Sequence, residues 1–302
     1  MEESPCPDHR SGFVSVVGRP NVGKSTLINA YVGQKVSIVS PKPQTTRRRV
    51  LGILTLDEAQ VILVDTPGIH SPVHKLGEAM VKTAVQAIPD ADAILWLVDG
   101  SGPPTQEDRH IAELVAREGK GIPLVMGLNK SDLVGEGERA SQAQTYLDLV
   151  QPTEWMYLSA AQGENRDALL RALIALLPLG PRYYPDDQVT DQTERAIAGE
   201  LIREQVILHT RQEVPYAVEV MIEDFVPRSE KLVYIRATVI VERSSQKGIL
   251  LGQGGSMIKS ISQAARREIE VMVERQVYLE LWVKVHPNWR QSHSELGYLG
   301  YQ

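Results

Sequence analysis

A glycine-rich segment between two patterned stretches constrains this chain more than any other feature. The mostly apolar residues 13–17 predict a strand, and the segment that follows them reads Gly18-x-x-x-x-Gly23-Lys24-Ser25 and opens a predicted helix. Glycines at this spacing let backbone N–H groups point at phosphate oxygens, and the helix N-terminus adds positive potential. Lys24 would neutralise the β- and γ-phosphates of a nucleotide, and Ser25 would supply a hydroxyl to Mg²⁺. The segment therefore predicts a P-loop.

Apolar runs of strand length alternate with helical patterns over the first 180 residues. Continuous apolar strands separated by helices are typical of a mostly parallel sheet with helices on both faces. We therefore predict an α/β domain of the P-loop class. Its predicted strands cover residues 13–17, 61–64, 94–98, 124–128 and 155–158, and its clearest helices cover residues 75–87 and 108–117.

A second motif, Asp65-Thr66-Pro67-Gly68, ends the apolar run at residues 61–64. In a parallel sheet the end of this strand lies beside the P-loop, so the Asp65 carboxylate can hold Mg²⁺ through water. Gly68 can offer its backbone N–H to a γ-phosphate with no side chain in the way. Taken alone, an Asp-Thr-Pro-Gly motif is more often just a turn.

A third motif, Asn129-Lys130-Ser131-Asp132, follows another apolar strand and predicts base recognition. An ionised Asp132 can only accept hydrogen bonds, and guanine offers two donors at N1 and its amino group, whereas adenine presents an acceptor at N1. The wrong base would leave a desolvated charge unpaired, at a cost on the order of a few kcal/mol. The small residues Ser159-Ala160-Ala161, after the last strand, would let backbone N–H groups approach the base carbonyl.

These motifs together predict a guanine-nucleotide site. The residues predicted to bind the nucleotide are Gly18, Asn21, Val22, Gly23, Lys24, Ser25, Thr26, Asp65, Gly68, Asn129, Lys130, Asp132, Ser159, Ala160 and Ala161.

The alternation stops at a proline-rich stretch near residue 180, and a chain of 302 residues is long enough for two domains. We predict a flexible N-terminus over residues 1–12, a GTPase domain over 13–180, a linker over 181–190 and a second domain over 191–302. In the second domain the order is helix, strand, strand, helix, loop, helix, strand. The predicted elements include strands at residues 216–222, 232–241 and 277–285 and a helix at residues 256–269.

The loop Gly252-Gln253-Gly254-Gly255 lies between the two later helices of this second domain. Glycines at both ends let the backbone approach a nucleic-acid strand, and the next helix N-terminus favours phosphate. The formal net charge of −6 argues against binding of nucleic acid by bulk attraction, so an RNA site has to be local. The basic residues near the loop are Arg243, Lys247, Lys259, Arg266 and Arg267.

The four nucleotide elements resemble those of the translation-factor-related GTPases, and the second domain narrows the resemblance to the Era family. Its loop looks like the Gly-x-x-Gly loop of a KH domain, and the strand pattern at residues 279–285 and the ending Leu296-Gly297-Tyr298 are similar to that family. The resemblance covers nearly the whole chain. It implies a P-loop GTPase domain followed by an α+β KH-type domain, with GTP or GDP and Mg²⁺ as ligands.

The family resemblance also implies roles for individual residues. Thr45 and Thr46 look like switch threonines, of which Thr46 is the expected Mg²⁺ ligand; Ser25 and Asp65 complete the expected metal set, and Lys24, Thr46 and Gly68 the catalytic set. Ile69 stands where a water-orienting Gln would be, so we predict slow hydrolysis that rises when RNA or a ribosomal particle is bound. The residues predicted to bind RNA are Lys247, Gly252, Gln253, Gly254, Gly255, Lys259 and Arg266.

The implied partner is single-stranded RNA near the 3′ end of small-subunit ribosomal RNA, during assembly of the small subunit. Two other classes stay open at this stage: a regulatory or membrane-associated GTPase whose second domain binds protein, and an ATP-dependent P-loop enzyme, which Asp132 disfavours. The basic run Arg47-Arg48-Arg49 and the outward-facing Trp282 and Lys284 fit either RNA contact or a solvated surface. The histidines show no spacing that demands a metal.

Composition bears on the compartment. The single cysteine, Cys6, permits no intramolecular disulfide and no Cys-based zinc cluster, which suits a reducing cytosol. The acidic N-terminus does not resemble a secretory signal, and no apolar stretch approaches the roughly 18 residues of a membrane span. We expect a cytoplasmic monomer, infer no obligate protein partner from the sequence, and leave peripheral attachment to the inner face of the membrane open.

Overall fold

The computed structural model describes residues 8–301, so Cys6 and most of the predicted flexible N-terminus lie outside the described residues. The chain divides into two compact units. The first unit contains residues up to Ser37 together with Thr46–Val73 and Gly77–Asp191. The second unit contains Ile38–Thr45, His74–Leu76 and the chain from Gln192 onward.

The first unit is built on a six-stranded sheet, which confirms the predicted mostly parallel α/β domain. The strand order is β2-β3-β1-β4-β5-β6, and all neighbours are parallel except β2 and β3. The sequence pattern did not indicate the antiparallel edge strand β2. The strands are β1 (Arg10–Val17), β2 (Val50–Thr55), β3 (Ala59–Asp65), β4 (Ala93–Asp99), β5 (Leu124–Asn129) and β6 (Glu154–Tyr157).

Apolar side chains on both faces of the sheet pack under helices. In β4, Leu95 and Leu97 belong to one buried cluster, while Ile94, Trp96 and Val98 belong to the cluster on the opposite face. This is why the strand reads as a continuous apolar run: successive side chains point to opposite faces, and both faces are covered. The helices are α1 (Lys24–Val32), α2 (Lys75–Gln86), α3 (Gln106–Glu118), α4 (Glu136–Leu147) and α5 (Arg166–Leu176).

Two predicted boundaries need correction. Residues 10–12 of the predicted flexible N-terminus are the start of β1, where Arg10 is paired with Ala59. The predicted linker at residues 181–190 belongs to the first unit, because the Gln60 side chain accepts from the backbone N–H groups of Tyr183 and Tyr184. Proline-rich sequence indicated the end of regular structure correctly, but it carries no information about such side-chain anchors.

The second unit has a three-stranded sheet with helices on one face. β7 and β8 are antiparallel, and β8 and β9 are parallel. The first predicted strand is displaced: a 3₁₀ turn occupies Val214–Tyr216, and β7 begins only at Glu219. The elements are α6 (Glu194–His209), β7 (Glu219–Ser229), β8 (Leu232–Val241), α7 (Ser244–Leu251), α8 (Ser256–Val273), β9 (Gln276–Val285) and α9 (His293–Tyr298).

Within residues 8–301, no helix has the length and apolar character needed to cross a membrane. The same residues contain no cluster of three or more His, Cys, Asp or Glu side chains suited to a metal ion. His70, one of the histidines without metal-site spacing, is buried.

Candidate nucleotide site and candidate RNA-binding loop

The P-loop joins the end of β1 to the start of α1. Gly23 is the residue before the helix and has φ of 103°, a conformation that glycine adopts without steric cost. The Lys24 ammonium lies inside the loop and donates to the carbonyl oxygens of Gly18 at 3.0 Å and Arg19 at 3.1 Å. Burial lowers the pKa of Lys24 to about 8, against the opposing effect of Asp65. A buried cation surrounded by loop backbone is suited to a polyphosphate.

Three oxygen-bearing side chains converge beside Lys24. Ser25 Oγ lies 2.8 Å from Asp65 Oδ2 and 2.9 Å from Thr46 Oγ1, and Thr46 Oγ1 lies 3.4 Å from Asp65 Oδ2. Asp65 is fully buried, which raises its pKa, and its Oδ1 atom has no hydrogen-bond partner in the described part of the chain. Oxygen donors around a buried, unpartnered carboxylate oxygen fit a hard divalent cation such as Mg²⁺. Thr45 is turned away, since its hydroxyl donates to the carbonyl of Lys42.

The segment predicted to recognise the base, residues 129–132, is hydrogen-bonded directly to the P-loop. Asn129 Nδ2 donates to the carbonyl of Val22 at 2.7 Å, and Asn129 Oδ1 accepts from the backbone N–H of Ala160 at 2.8 Å. A Cβ atom on Gly23 would lie only 2.2 Å from Asn129 Nδ2, so the glycine allows this close approach. The phosphate loop, the base segment and the small-residue loop after β6 therefore face one cleft, which a single nucleotide can span.

Asp132 lies in a short 3₁₀ turn after β5, and its Oδ1 accepts from the Ser159 hydroxyl. The turn begins after Lys130, which has a positive φ of 66°. The Ser159 side chain thus orients the carboxylate, a role that the sequence did not indicate, since only its backbone was expected to matter. Ala161, the third member of that predicted loop, is exposed.

Gly68 lies against the P-loop. A Cβ atom at this position would be 2.6 Å from the backbone nitrogen of Pro20, and the next residue donates its N–H to the carbonyl of Gly18 at 3.2 Å. The side chain of that residue, Ile69, is fully buried in the hydrophobic cluster that includes Val17 and Trp96. Ile69 therefore supplies no polar group to a water molecule beside a γ-phosphate.

The predicted RNA-binding loop lies between α7 and α8. Three of its residues have positive φ: Gly252 at 69°, Gly254 at 59° and Gly255 at 79°. A Cβ on Gly252 would clash with Met257, whereas Gly254 and Gly255 have open space around them. The backbone is thus bare where α8 begins, as close contact with a phosphodiester chain requires.

The basic residues predicted to accompany this loop lie on α7 and α8, apart from Arg243, which is the residue before α7. Lys259 and Arg266 are exposed and seven residues apart, which places them on the same side of α8. Arg266 makes a long ion pair with Glu270 at 3.9 Å, whereas Lys247 and Lys259 form no ion pair with a described residue. Positive charge from Lys259, in the first turn of α8, therefore lies near the loop, whereas Arg266 lies about two turns further along the helix.

Two family descriptions match the two parts of the chain. Residues 13–130 match the family described as "50S ribosome-binding GTPase", and residues 213–290 match the KH domain family. The chain is also similar to two solved structures of Era. One is Era in complex with MgGDPNP and nucleotides 1506–1542 of 16S ribosomal RNA: it is 38% identical, with a TM-score of 0.90, covering 97% of this chain and 99% of that one. The chain belongs to the Era family of GTPases.

The second structure is a single-residue variant of Era from Aquifex aeolicus bound to GDP and AlF4⁻. It is 37% identical to this chain, with a TM-score of 0.91, and covers 97% of this chain and 99% of that one. Both similarities extend over the GTPase and KH parts together. The predicted Era-family membership and two-domain fold class are thus confirmed, and the chain is a GTPase.

The structure of this Era-family chain also reveals side chains that the sequence reasoning missed. Lys130 Nζ donates to Asp99 Oδ2 at 2.6 Å, and Arg19 of the P-loop is 3.5 Å from the same oxygen and 3.3 Å from the buried carboxylate of Asp108. Burial acts to raise the pKa of Asp99, but hydrogen bonds from Lys130 and Ser101 lower it below its ordinary value. Asp99 ends an apolar strand, as Asp65 does, and that position was the available signal.

Proposed function

We propose that this chain is a GTP-hydrolysing switch that binds single-stranded RNA near the 3′ end of small-subunit ribosomal RNA and acts in assembly of the small subunit. The observation that carries the nucleotide part is the shared cleft, in which Asn129 bonds both to Val22 of the phosphate loop and to Ala160 of the loop after β6. Support for the RNA part comes from the bare glycine loop before α8 and from the relative solved with 16S ribosomal RNA.

Different residues of the site would have different roles in GTP hydrolysis. Backbone N–H groups of the P-loop and the Lys24 ammonium would hold the β- and γ-phosphates, and Asp132 would select guanine. Ser25, Thr46 and Asp65 would hold Mg²⁺, which when bound neutralises charge on the β- and γ-phosphate oxygens. The Gly68 N–H, beside Pro20, would be able to donate to a γ-phosphate oxygen.

The proposed basal rate is slow, because the buried Ile69 side chain cannot orient the attacking water. The missing group has to come from elsewhere, and bound RNA or a ribosomal particle is the proposed source. A cytoplasmic location and a monomeric state are further parts of the proposal. Peripheral attachment to the inner face of the membrane is a separate part of the proposal, and co-sedimentation with anionic lipid vesicles tests it.

Measuring multiple-turnover GTP hydrolysis with and without an RNA oligonucleotide matching the 3′ end of small-subunit ribosomal RNA tests the main proposal. We expect the rate to rise about tenfold or more, since one added transition-state donor is worth about 10²- to 10³-fold. An oligonucleotide of the same length and composition in scrambled order is the control. Equal rates with no RNA, scrambled RNA and 3′-end RNA would contradict the proposed stimulation.

A further inference from the structure

The segment that precedes Thr46 is packed on the second unit. Residues Ile38–Thr45 cluster with the chain from Gln192 onward, whereas Ser37 and Thr46 on either side belong to the first unit. Ile38 is buried in the same hydrophobic cluster as Ile202 and Val206 of α6. Ile38–Thr45 is therefore part of the second unit, and it ends directly before Thr46, a predicted Mg²⁺ ligand.

Polar contacts attach this segment to α6 at two places. The Val39 backbone N–H donates to Oε1 of the buried Glu204 at 2.9 Å. The Lys42 ammonium donates to the carbonyl oxygens of Ile207 and Thr210 at the C-terminal end of the helix. Carbonyls at a helix C-terminus lack intrahelical partners and carry partial negative charge, so a lysine is a favourable cap there.

Arg203 makes the contact closest to the nucleotide site. Its guanidinium, on α6, donates to the backbone carbonyl of Thr45 and forms an ion pair with Glu200. The Arg203 side chain is fully buried, and its Nη1 atom has no hydrogen-bond partner among the described residues. Burying a guanidinium is costly unless it is paired, so the contact with Thr45 is one of the few that compensate this cation.

The residue bonded to Thr45 is Thr46, whose hydroxyl lies 2.9 Å from Ser25 Oγ and 3.4 Å from Asp65 Oδ2 in the first unit. Fixing the carbonyl of Thr45 fixes one side of the peptide bond that leads to Thr46. Because the peptide unit is planar, holding one end restricts the direction in which the chain enters Thr46.

We propose that Arg203 is a positioning residue for the GTPase reaction: it holds the Thr45 carbonyl so that Thr46 is presented to Mg²⁺ and the γ-phosphate. Lys42 and Glu204 assist by attaching the same segment to α6. In this proposal Arg203 acts through Thr45 and Thr46, since its guanidinium donates to the Thr45 carbonyl and to Glu200. GDP has no γ-phosphate, so its affinity should not depend on Arg203.

The affinities of the full chain for GDP and for GDPNP in Mg²⁺ test this proposal. In Arg203→Met we expect GDPNP affinity to fall about tenfold and the half-saturating Mg²⁺ concentration to rise, while GDP affinity stays within about twofold, because only the γ-phosphate state uses Thr46. Arg203→Lys keeps the charge and one donor direction and should recover part of the loss. Thermal unfolding and circular dichroism of each variant check that it is folded.

Arg195→Met is the matched control, since Arg195 is an exposed arginine on the same helix whose guanidinium donates to Ile222 and Glu223 instead. If Arg203→Met does not fold, Lys42→Met is the second variant. Lys42 is partly exposed, and its replacement removes the ammonium that caps the C-terminus of α6, so GDPNP affinity should fall as in Arg203→Met. Lys120→Met is the control for this variant. A folded Arg203→Met or Lys42→Met with unchanged GDPNP affinity and Mg²⁺ requirement would overturn the proposal. Equal losses for GDP and GDPNP would do so too.

A second experiment, on RNA affinity, rests on the proposed RNA function. If α6 transmits nucleotide state, the unchanged chain should bind the 3′-end oligonucleotide with different affinities when GDPNP or GDP is bound. In Arg203→Met these two RNA affinities should become equal. An unchanged ratio of the two RNA affinities in the variant would contradict the transmission. If the unchanged chain binds no RNA in either nucleotide state, the proposed RNA function fails, but the nucleotide measurements still decide the role of Arg203.

Discussion

At the scale of single residues, we propose that Asp132 determines which base is accepted. Its carboxylate accepts from the Ser159 hydroxyl through Oδ1, which fixes the orientation of the group without using all of its acceptor capacity. An oriented carboxylate can take both the N1–H and the amino group of guanine. Adenine would meet it with an acceptor, and the mismatch leaves a charge without a partner.

We expect Asp132→Asn to lower GTP affinity about 100-fold, which corresponds to roughly 3 kcal/mol for lost charge-assisted hydrogen bonds. The same variant should gain affinity for xanthosine triphosphate, because the new amide N–H can donate to the additional carbonyl of xanthine. Competition binding with the two nucleotides measures both changes. Asp148→Asn, at an exposed position of the same unit, is the control. If Asp132→Asn bound GTP as tightly as the unchanged chain, the assigned base contact would be wrong.

At the scale of elements, the loop before α8 combines an unusual backbone with a helix start. Gly254 and Gly255 both have left-handed backbone conformations, and a side chain at either would meet open space. Their positive φ angles favour glycine, and the open space leaves the backbone accessible. A phosphate brought to this point would also meet the positive end of α8.

Replacing both Gly254 and Gly255 by Asp should reduce affinity for the 3′-end oligonucleotide about 10- to 100-fold, because two carboxylates would each repel phosphate by about 1 kcal/mol at close range. Basal GTP hydrolysis should not change. The double replacement by Asn is the matched control, since Asn has the same shape and tolerates this backbone conformation but is uncharged. Equal loss in the Asp and Asn variants would point to backbone strain, and full binding by both would remove the loop from the RNA site.

At the scale of the whole molecule, the chain order of the two units is interleaved. A short segment of the second unit, Ile38–Thr45, is inserted between two parts of the first unit. The residues directly before Thr46 pack on α6. A ligand that changes the position of Thr46 therefore also acts on this packed segment. Linkage requires that such an effect be reciprocal.

We expect reciprocity between the two ligands. If GDPNP changes RNA affinity by some factor, a saturating amount of the 3′-end oligonucleotide must change GDPNP affinity by the same factor, and GDP affinity less. Titrating labelled nucleotide into the chain with and without the oligonucleotide measures this factor. A coupling of about 1–3 kcal/mol, or about 5- to 150-fold, is the usual range. Independence of the two affinities would show that nucleotide state does not set RNA binding.

The sequence by itself predicted both candidate sites. The P-loop, the Asp65 and Asn129 motifs and the Gly252 loop could be recognised because the functions proposed for them depend on residue spacing, strand ends and backbone conformation, which are short-range properties. The strands of the first unit could be predicted for a related reason: helices cover both faces of the sheet, so residues such as Leu95 and Trp96 are apolar in succession.

Only the tertiary structure decided which distant residues meet. The contacts of Asp99 with Lys130 and Arg19, of Gln60 with residues 183 and 184, and of Arg203 with Thr45 join positions far apart in the chain. Such contacts leave no periodic pattern, because a single charged or polar side chain looks the same in sequence whether it faces water or a buried partner. Their energetic meaning comes from burial, and burial is a property of the folded chain.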